Sequence, residues 1–168
     1  MVLQADSDKV RPSNRLSQTH LGNTTIRRLI LQRIAALQPG QQRKWGRMTA
    51  HQMLCHLNDS FRVALGEKYA SPATTLVFRT VGKFVALYVP IPWPRSVATR
   101  PEVDQTAGGT PPSEFDHDRR VLLELIDRFG GSAGRTWGPH PLFGAMTEWQ
   151  WQRWGYLHTD HHLRQFGV

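Results

Sequence analysis

The 168-residue chain has one cysteine, Cys55, so an internal disulfide and a cysteine-rich zinc knuckle are both excluded. That usage suits a reducing compartment, and a cytoplasmic protein is expected. Long apolar runs are also missing. Residues 1–20 mix Asp, Lys, Arg, Ser and Asn without the continuous apolar stretch of a secretory signal. The most apolar stretch, residues 76–93, carries Arg79 and Lys83 and is broken by Pro90 and Pro92, so no membrane span is expected. There is no Asn-Gly pair and no alternating pair of apolar segments, which leaves paired strands without support.

Acidic residues are outnumbered, 13 against 21 Lys and Arg, for a net charge of +8. The imbalance belongs to the amino-terminal part: residues 1–47 hold nine Lys and Arg but only Asp6 and Asp8 as acids. A basic stretch can attract nucleic acid or an anionic surface. No aromatic-interleaved basic motif accompanies this one, so a solvated arm and helix face is the expectation, without a nucleic-acid partner.

At this length one core can be filled well and two cannot. The expected organisation is a flexible basic arm over residues 1–22 followed by a single domain over residues 23–168. A first helix is predicted over residues 23–37, where Ile26, Leu29, Ile30, Ile34 and Leu37 recur at helical steps and Pro39-Gly40 stops it. A second begins at Thr49, in the capping-box pattern Thr49-x-x-Gln52, and ends near Gly66. Residues 74–89 form a third apolar segment at helical spacing, with a β-branched content that leaves a strand open. Six of eleven prolines then fall at positions 90, 92, 94, 101, 111 and 112, an irregular crossover of a length that usually has a function or braces a site. A helix opening at Ser113 with Ser113-x-x-Asp116 ends at Gly130-Gly131, and the last runs from Thr147, again with Thr-x-x-Gln, to about Phe166. Four main helices and an inserted one make an all-α bundle.

The last helix carries the chemistry. At about 100° per residue, Trp151, Trp154, His161, His162 and Gln165 all lie within roughly 60° of His158. The histidines therefore share the face of the tryptophans, which a bundle turns inward. A buried imidazole there needs a hydrogen-bond partner or a metal. His158 and His162, four residues apart, bring two nitrogens within reach of one ion. His161 sits at a poorer angle and is an alternative ligand or a pocket residue, as is Gln165. A third ligand must come from elsewhere, and His56, two turns into the second helix at the edge of its apolar stripe, is the best placed. Asp59, one turn on, either orients His56 or is a solvated helix residue, the second being favoured by its angle. His51 falls on the opposite, solvated side, and His20 and His117 lack apolar context.

The segments KWGRMTAHQMLCHLNDS (residues 44–60) and GPHPLFGAMTEWQWQRWGYLHTDHHLRQFG (residues 138–167) resemble the DinB-like (DinB/YfiT) superfamily. Within it they resemble a bacterial branch named only as a domain of unknown function. The order of elements agrees along residues 23–168. The resemblance implies a four-helix bundle whose divalent metal, usually zinc or nickel, is held by His56, His158 and His162. It also implies the chemistry found among such proteins, which include metal-dependent transferases of low-molecular-weight thiols, a mycothiol-dependent maleylpyruvate isomerase and hydrolases, and it makes a homodimer expected. His140, in the His140-Pro141-x-Phe143-Gly144 segment ahead of the last helix, belongs to the branch's signature and is expected at the pocket.

An ion held by three neutral imidazoles keeps its charge and an open position, which suits a thiol transferase or a hydrolase acting on a small, anionic substrate. The competing expectation is a non-catalytic helical module that binds a metal or a small ligand.

Overall fold

A computed structural model describes residues 17–95 and 97–168. Most of the expected basic arm, residues 1–16, lies outside the described residues. Five α-helices are named among the described residues: α1 (Thr24–Ala36), α2 (Ala50–Ala64), α3 (Lys83–Tyr88), α4 (Phe115–Gly130) and α5 (Glu148–Phe166). A π-helical turn, Phe78–Gly82, leads into α3, and a 3-10 turn, Pro101–Val103, interrupts the crossover. Among the described residues there is no strand, only an isolated bridge between His140 and Gly144. No helix there is long and apolar enough to cross a membrane.

The core is built by the long helices. Ile30 and Ile34 of α1, Met53, Leu54, Leu57 and Phe61 of α2, Leu122, Leu125, Ile126 and Phe129 of α4, and Trp151, Trp154, Leu163 and Phe166 of α5 form one buried cluster. Each large apolar side chain so buried stabilises the fold by roughly 1.5–3 kcal/mol. Both helices that carry the histidines of interest start with a reciprocal capping box. In α2, Thr49 Oγ1 accepts from Gln52 N while Gln52 Oε1 accepts from Thr49 N; in α5, Thr147 and Gln150 do the same.

Three expectations are corrected. The helix expected to open at Ser113 is capped instead by Glu114, whose carboxylate accepts from Asp116 N and His117 N. Ser113 turns its N–H and hydroxyl to Asp118, a buried carboxylate that needs donors. The arm boundary expected at Gly22 moves earlier, since Leu21 is fully buried and donates its N–H to Gln152 O. Arg153 binds Thr19 O and Trp149 binds Ser17 O, which lays residues 17–22 against α5.

The third correction concerns Asp59, which is fully buried and not solvated. Its oxygens accept from Thr110 N and Thr110 Oγ1, both at 2.7 Å, from Gln105 Nε2 at 3.2 Å and from Lys68 Nζ at 2.8 Å. A buried carboxylate is tolerated only with such partners, and here two of them, Gln105 and Thr110, come from the far half of the crossover. The segment read as a third apolar helix is helical from Leu76 to Tyr88, but its apolar face is not in the core. Leu87 is buried, whereas Leu76, Val77, Val81 and Phe84 are each more than half exposed.

At Gly155, α5 packs closely against α4 and the segment ahead of α1. A Cβ there would meet Phe129 Cε1 at 2.7 Å and Leu21 Cδ1 at 2.9 Å. Gly155→Ala should therefore destabilise by about 1–3 kcal/mol through overpacking, even though alanine is the better helix former by roughly 1 kcal/mol. Thermal unfolding checks this, and an unchanged or raised midpoint would mean that Phe129 and Leu21 yield without cost.

Candidate metal centre

His56 comes from α2, and His158 and His162 from consecutive turns of α5. Their ring nitrogens converge: His158 Nε2 lies 3.2 Å from both His56 Nε2 and His162 Nε2. The outer nitrogens explain why the contact is unusual. His56 Nδ1 lies 2.8 Å from Val103 O, a carbonyl that can only accept, so this nitrogen carries the proton. His162 Nδ1 lies 3.0 Å from Gln165 Oε1, and the Gln165 amide is oriented by donating Nε2–H to Trp45 O at 2.8 Å. Its Nδ1 is protonated for the same reason. Two neutral rings thus aim bare Nε2 lone pairs at the third nitrogen.

His158 can donate one proton at most toward them, and its own Nδ1 is buried without a partner. A buried acceptor left unmatched costs about 1–3 kcal/mol. A cation among the three nitrogens removes that mismatch. Tetrahedral zinc with bonds of about 2.0–2.1 Å sets its ligands about 3.3–3.4 Å apart, close to the spacing found. The donor set therefore fits a divalent ion. His158 packs against two indoles, Trp154 at 5.0 Å and Trp93 at 6.1 Å between centroids.

Burial holds His158 and His162 well below the usual imidazole range. The charge each ring would place on its neighbours adds to the effect. His56 is lowered by burial as well, with the Val103 carbonyl opposing the shift. Neutral imidazoles at neutral pH are the ligand form.

A second group, His51, Cys55 and Asp118, also has metal-type side chains in reach of one another. Its chemistry is opposite. The Asp118 carboxylate faces donors: His51 Nε2 at 2.7 Å, Ser113 N at 3.0 Å and the Cys55 thiol at 3.5 Å. Every contact there is a matched hydrogen bond, and burial with the neighbouring carboxylate pushes the Cys55 thiol up to about 12. This cluster ties α2 to the start of α4, and His51 is partnered instead of solvated.

The remaining expected residues fall around the site. His161 is not brought into the triad; it lies beside Trp45 and Trp93, with ring centroids at 5.9 and 6.2 Å. Gln165 anchors His162. Asp59 does not touch His56, whose second nitrogen is taken by Val103. His140 is 7% exposed and lines the same cavity as the triad, a space of about 1000 Å³. Phe78, Val85, Ile91, Trp93, Val97 and Phe143 give that cavity an apolar wall, and Arg47, Arg95 and Arg100 also line it.

Sequence reasoning missed the Val103 carbonyl, the Trp45 carbonyl and Trp93. Backbone acceptors leave no residue-type signal, and the density of proline in the crossover was the one hint that this segment braces something. The His51–Cys55 pair, four apart on α2, was a visible signal for the structural cluster.

A family model spans both histidine helices and the crossover between them, matching residues 18–167. The chain belongs to the family described as protein of unknown function, DUF1569. The DUF1569 match begins where the described chain first docks onto α5, and it contains His56, His140, His158 and His162. No curated protein matches the chain. No solved structure matches it either.

Four rings of this DUF1569 site, buried His56, His140 and His162 and half-buried His158, have folded pKa values below the ordinary 6.5, that of His140 about 3. As pH falls below 6.5 the unfolded chain binds protons that the fold refuses, so the stability present above that pH is progressively lost. Each ring contributes up to about 1.4 kcal/mol per pH unit in that window. The metal-free protein should melt at progressively lower temperature from about pH 7 to about pH 5, above the range where carboxylates titrate. A flat midpoint across that interval would contradict the neutral-ring assignment.

Proposed function

We propose that this protein is a metal-dependent enzyme with a DinB-like four-helix bundle, formed by α1, α2, α4 and α5 with α3 as the insertion. The observation that carries the reading is the pair of anchored Nε2 lone pairs of His56 and His162 facing His158 Nε2, each at 3.2 Å. The helices that bear them are the second and last of the bundle, the ones that the DinB-like resemblance implies. Bound there, a divalent ion, zinc or nickel, supplies Lewis acidity that makes a water or a low-molecular-weight thiol more acidic.

The chain's own part is to hold and to select. Val103 O and Gln165 Oε1 keep two imidazoles in the ligating tautomer. Three neutral ligands bring no negative charge, so the site favours an anionic partner. Arg47, Arg95 and Arg100 around the cavity add to that preference, while Ile91, Trp93, Val97, Phe143 and Trp154 receive an apolar body. The substrate class is a small molecule with an apolar portion and an anionic or thiol-derived group, handled by thiol transfer or hydrolysis.

The test is metal analysis of the purified chain. One equivalent of zinc or nickel is expected, lost in His158→Ala. Gln165→Leu should weaken the metal about 10–100-fold while leaving the three ligands in place. No uptake by the native chain, or full occupancy in His158→Ala, overturns the proposal. Cobalt substitution followed by glutathione titration separates the chemistries, since a sulfur-to-metal charge-transfer band favours the thiol transferase and its absence the hydrolase.

A homodimer through the Leu76–Tyr88 face belongs to the same proposal. Monomers rarely expose so continuous an apolar surface. The cations of this helix are turned from it: Arg79 lies over Gly144, and Lys83 Nζ donates to Ala145 O at 2.8 Å. The face is left without charge, which lets two copies meet without like-charge repulsion and gives an anionic lipid surface little to bind. Sedimentation should find a dimer at micromolar concentration and a monomer for Phe84→Asp; a monomeric native chain would rule the dimer out.

A further inference from the structure

His140 is the one buried histidine of the cavity outside the triad, and its local geometry fixes which nitrogen holds the proton. The segment folds back on itself: His140 N donates to Gly144 O at 2.8 Å, and Gly144 N to His140 O at 2.9 Å. Gly144 takes φ +66° to close this turn, which favours glycine there. Inside it, His140 Nδ1 receives two backbone amides, Leu142 N at 3.1 Å and Phe143 N at 3.2 Å. Amide N–H groups only donate, so Nδ1 is a bare acceptor and the ring proton sits on Nε2.

An imidazolium would press a third N–H against those two amides, so the turn also excludes the charged form. The ring cannot readily swing away. It stacks on Phe143, with centroids 4.7 Å apart, and packs against Trp151 and Trp154 at 5.2 Å each. Nε2–H has no hydrogen-bond partner among the described residues, while the residue lines the cavity that holds the triad. Trp154 touches both His140 and His158, so one indole joins the donor to the triad.

An N–H fixed at a cavity wall with no protein acceptor is open to a ligand that brings one. We propose that His140 is a permanently neutral hydrogen-bond donor that binds, through Nε2–H, a carboxylate or carbonyl oxygen of the ligand occupying the cavity beside the three-histidine site. The inference rests on the cavity being the ligand site of the proposed function. It does not depend on the metal being zinc, or on the reaction. The amide pair that fixes Nδ1 means that the donor is held ready before any ligand arrives.

Two variants separate ligand contact from loop support. The Asn side chain in His140→Asn places an oxygen near the Nδ1 position, keeping the acceptor for Leu142 and Phe143 but removing the Nε2 donor. The longer amide in His140→Gln reaches the Nε2 position and restores a donor there. Benzoate, an apolar ring with a carboxylate, serves as the probe, titrated into the full chain with zinc and without it. In ¹⁵N-labelled protein, long-range ring correlations should report His140 as the Nε2–H tautomer from about pH 5 to about pH 8, with the Nε2 signal shifting on benzoate addition. His140→Asn should bind benzoate about tenfold more weakly, with zinc stoichiometry unchanged, and His140→Gln should recover most of the loss.

An Nδ1–H tautomer, benzoate affinity unchanged in His140→Asn, equal losses in both variants, or no benzoate binding to the native chain overturns the proposal. Failure of the native chain to take up zinc overturns the metal reading instead. The metal-free titration then still decides the role of His140.

Discussion

Three imidazoles facing one another at a cavity wall have too few protons of their own to go round. Val103 and Gln165 draw the protons of His56 and His162 outward, which leaves their inner nitrogens as acceptors with only His158 between them. The stability of the surrounding packing has to absorb that mismatch unless a cation relieves it. The contrast with the Asp118 cluster is instructive, because there side chains that could also bind a metal meet with donors opposite acceptors. Proximity of His, Cys and Asp does not distinguish a ligand set from a structural knot; the direction of each proton does.

The crossover is what makes the mismatch possible. Asp59, one turn beyond His56 on α2, grips Thr110 and Gln105, and the same stretch of chain returns Val103 O to His56. Asp59 thus acts on the histidine at one remove, by pinning the loop whose carbonyl selects the tautomer. A long loop rich in proline has little freedom to lose on ordering, which lowers the entropic cost of holding it there.

Side-chain periodicity carried most of the fold. The two Thr-x-x-Gln starts, the stripes of α1, α2 and α5 and the glycine-ended termini were readable because each rests on local, repeating physics. The opening of α4 was misread because Ser113 and Glu114 are both competent caps, and what separates them is a tertiary demand, the need of buried Asp118 for donors. That His158 and His162 come together was legible from their place on the tryptophan face. His56 needed the resemblance, since its angle puts it only at the rim of the α2 stripe. Asp59 was misjudged because angular position describes one helix, and its partners arrive from a segment fifty residues away with no periodicity of its own. The outward face of the Leu76–Tyr88 helix was beyond an amphipathic reading, which says that one face is apolar without saying what covers it.

The matching capping boxes of α2 and α5 act as fixed origins from which the site is measured. His56 stands seven residues after Thr49, and His158 and His162 stand eleven and fifteen after Thr147. Each residue inserted between an origin and its histidine turns the ring by about 100° around the helix and carries it off the shared point. Divergence in length is therefore barred from two short stretches, Thr49 to His56 and Thr147 to His162. The loop between α2 and α3 and the turn after α4 carry no such measure. Relatives that keep the site can vary those connections in length outside Lys68 and the His140–Gly144 turn, provided that the two distances hold.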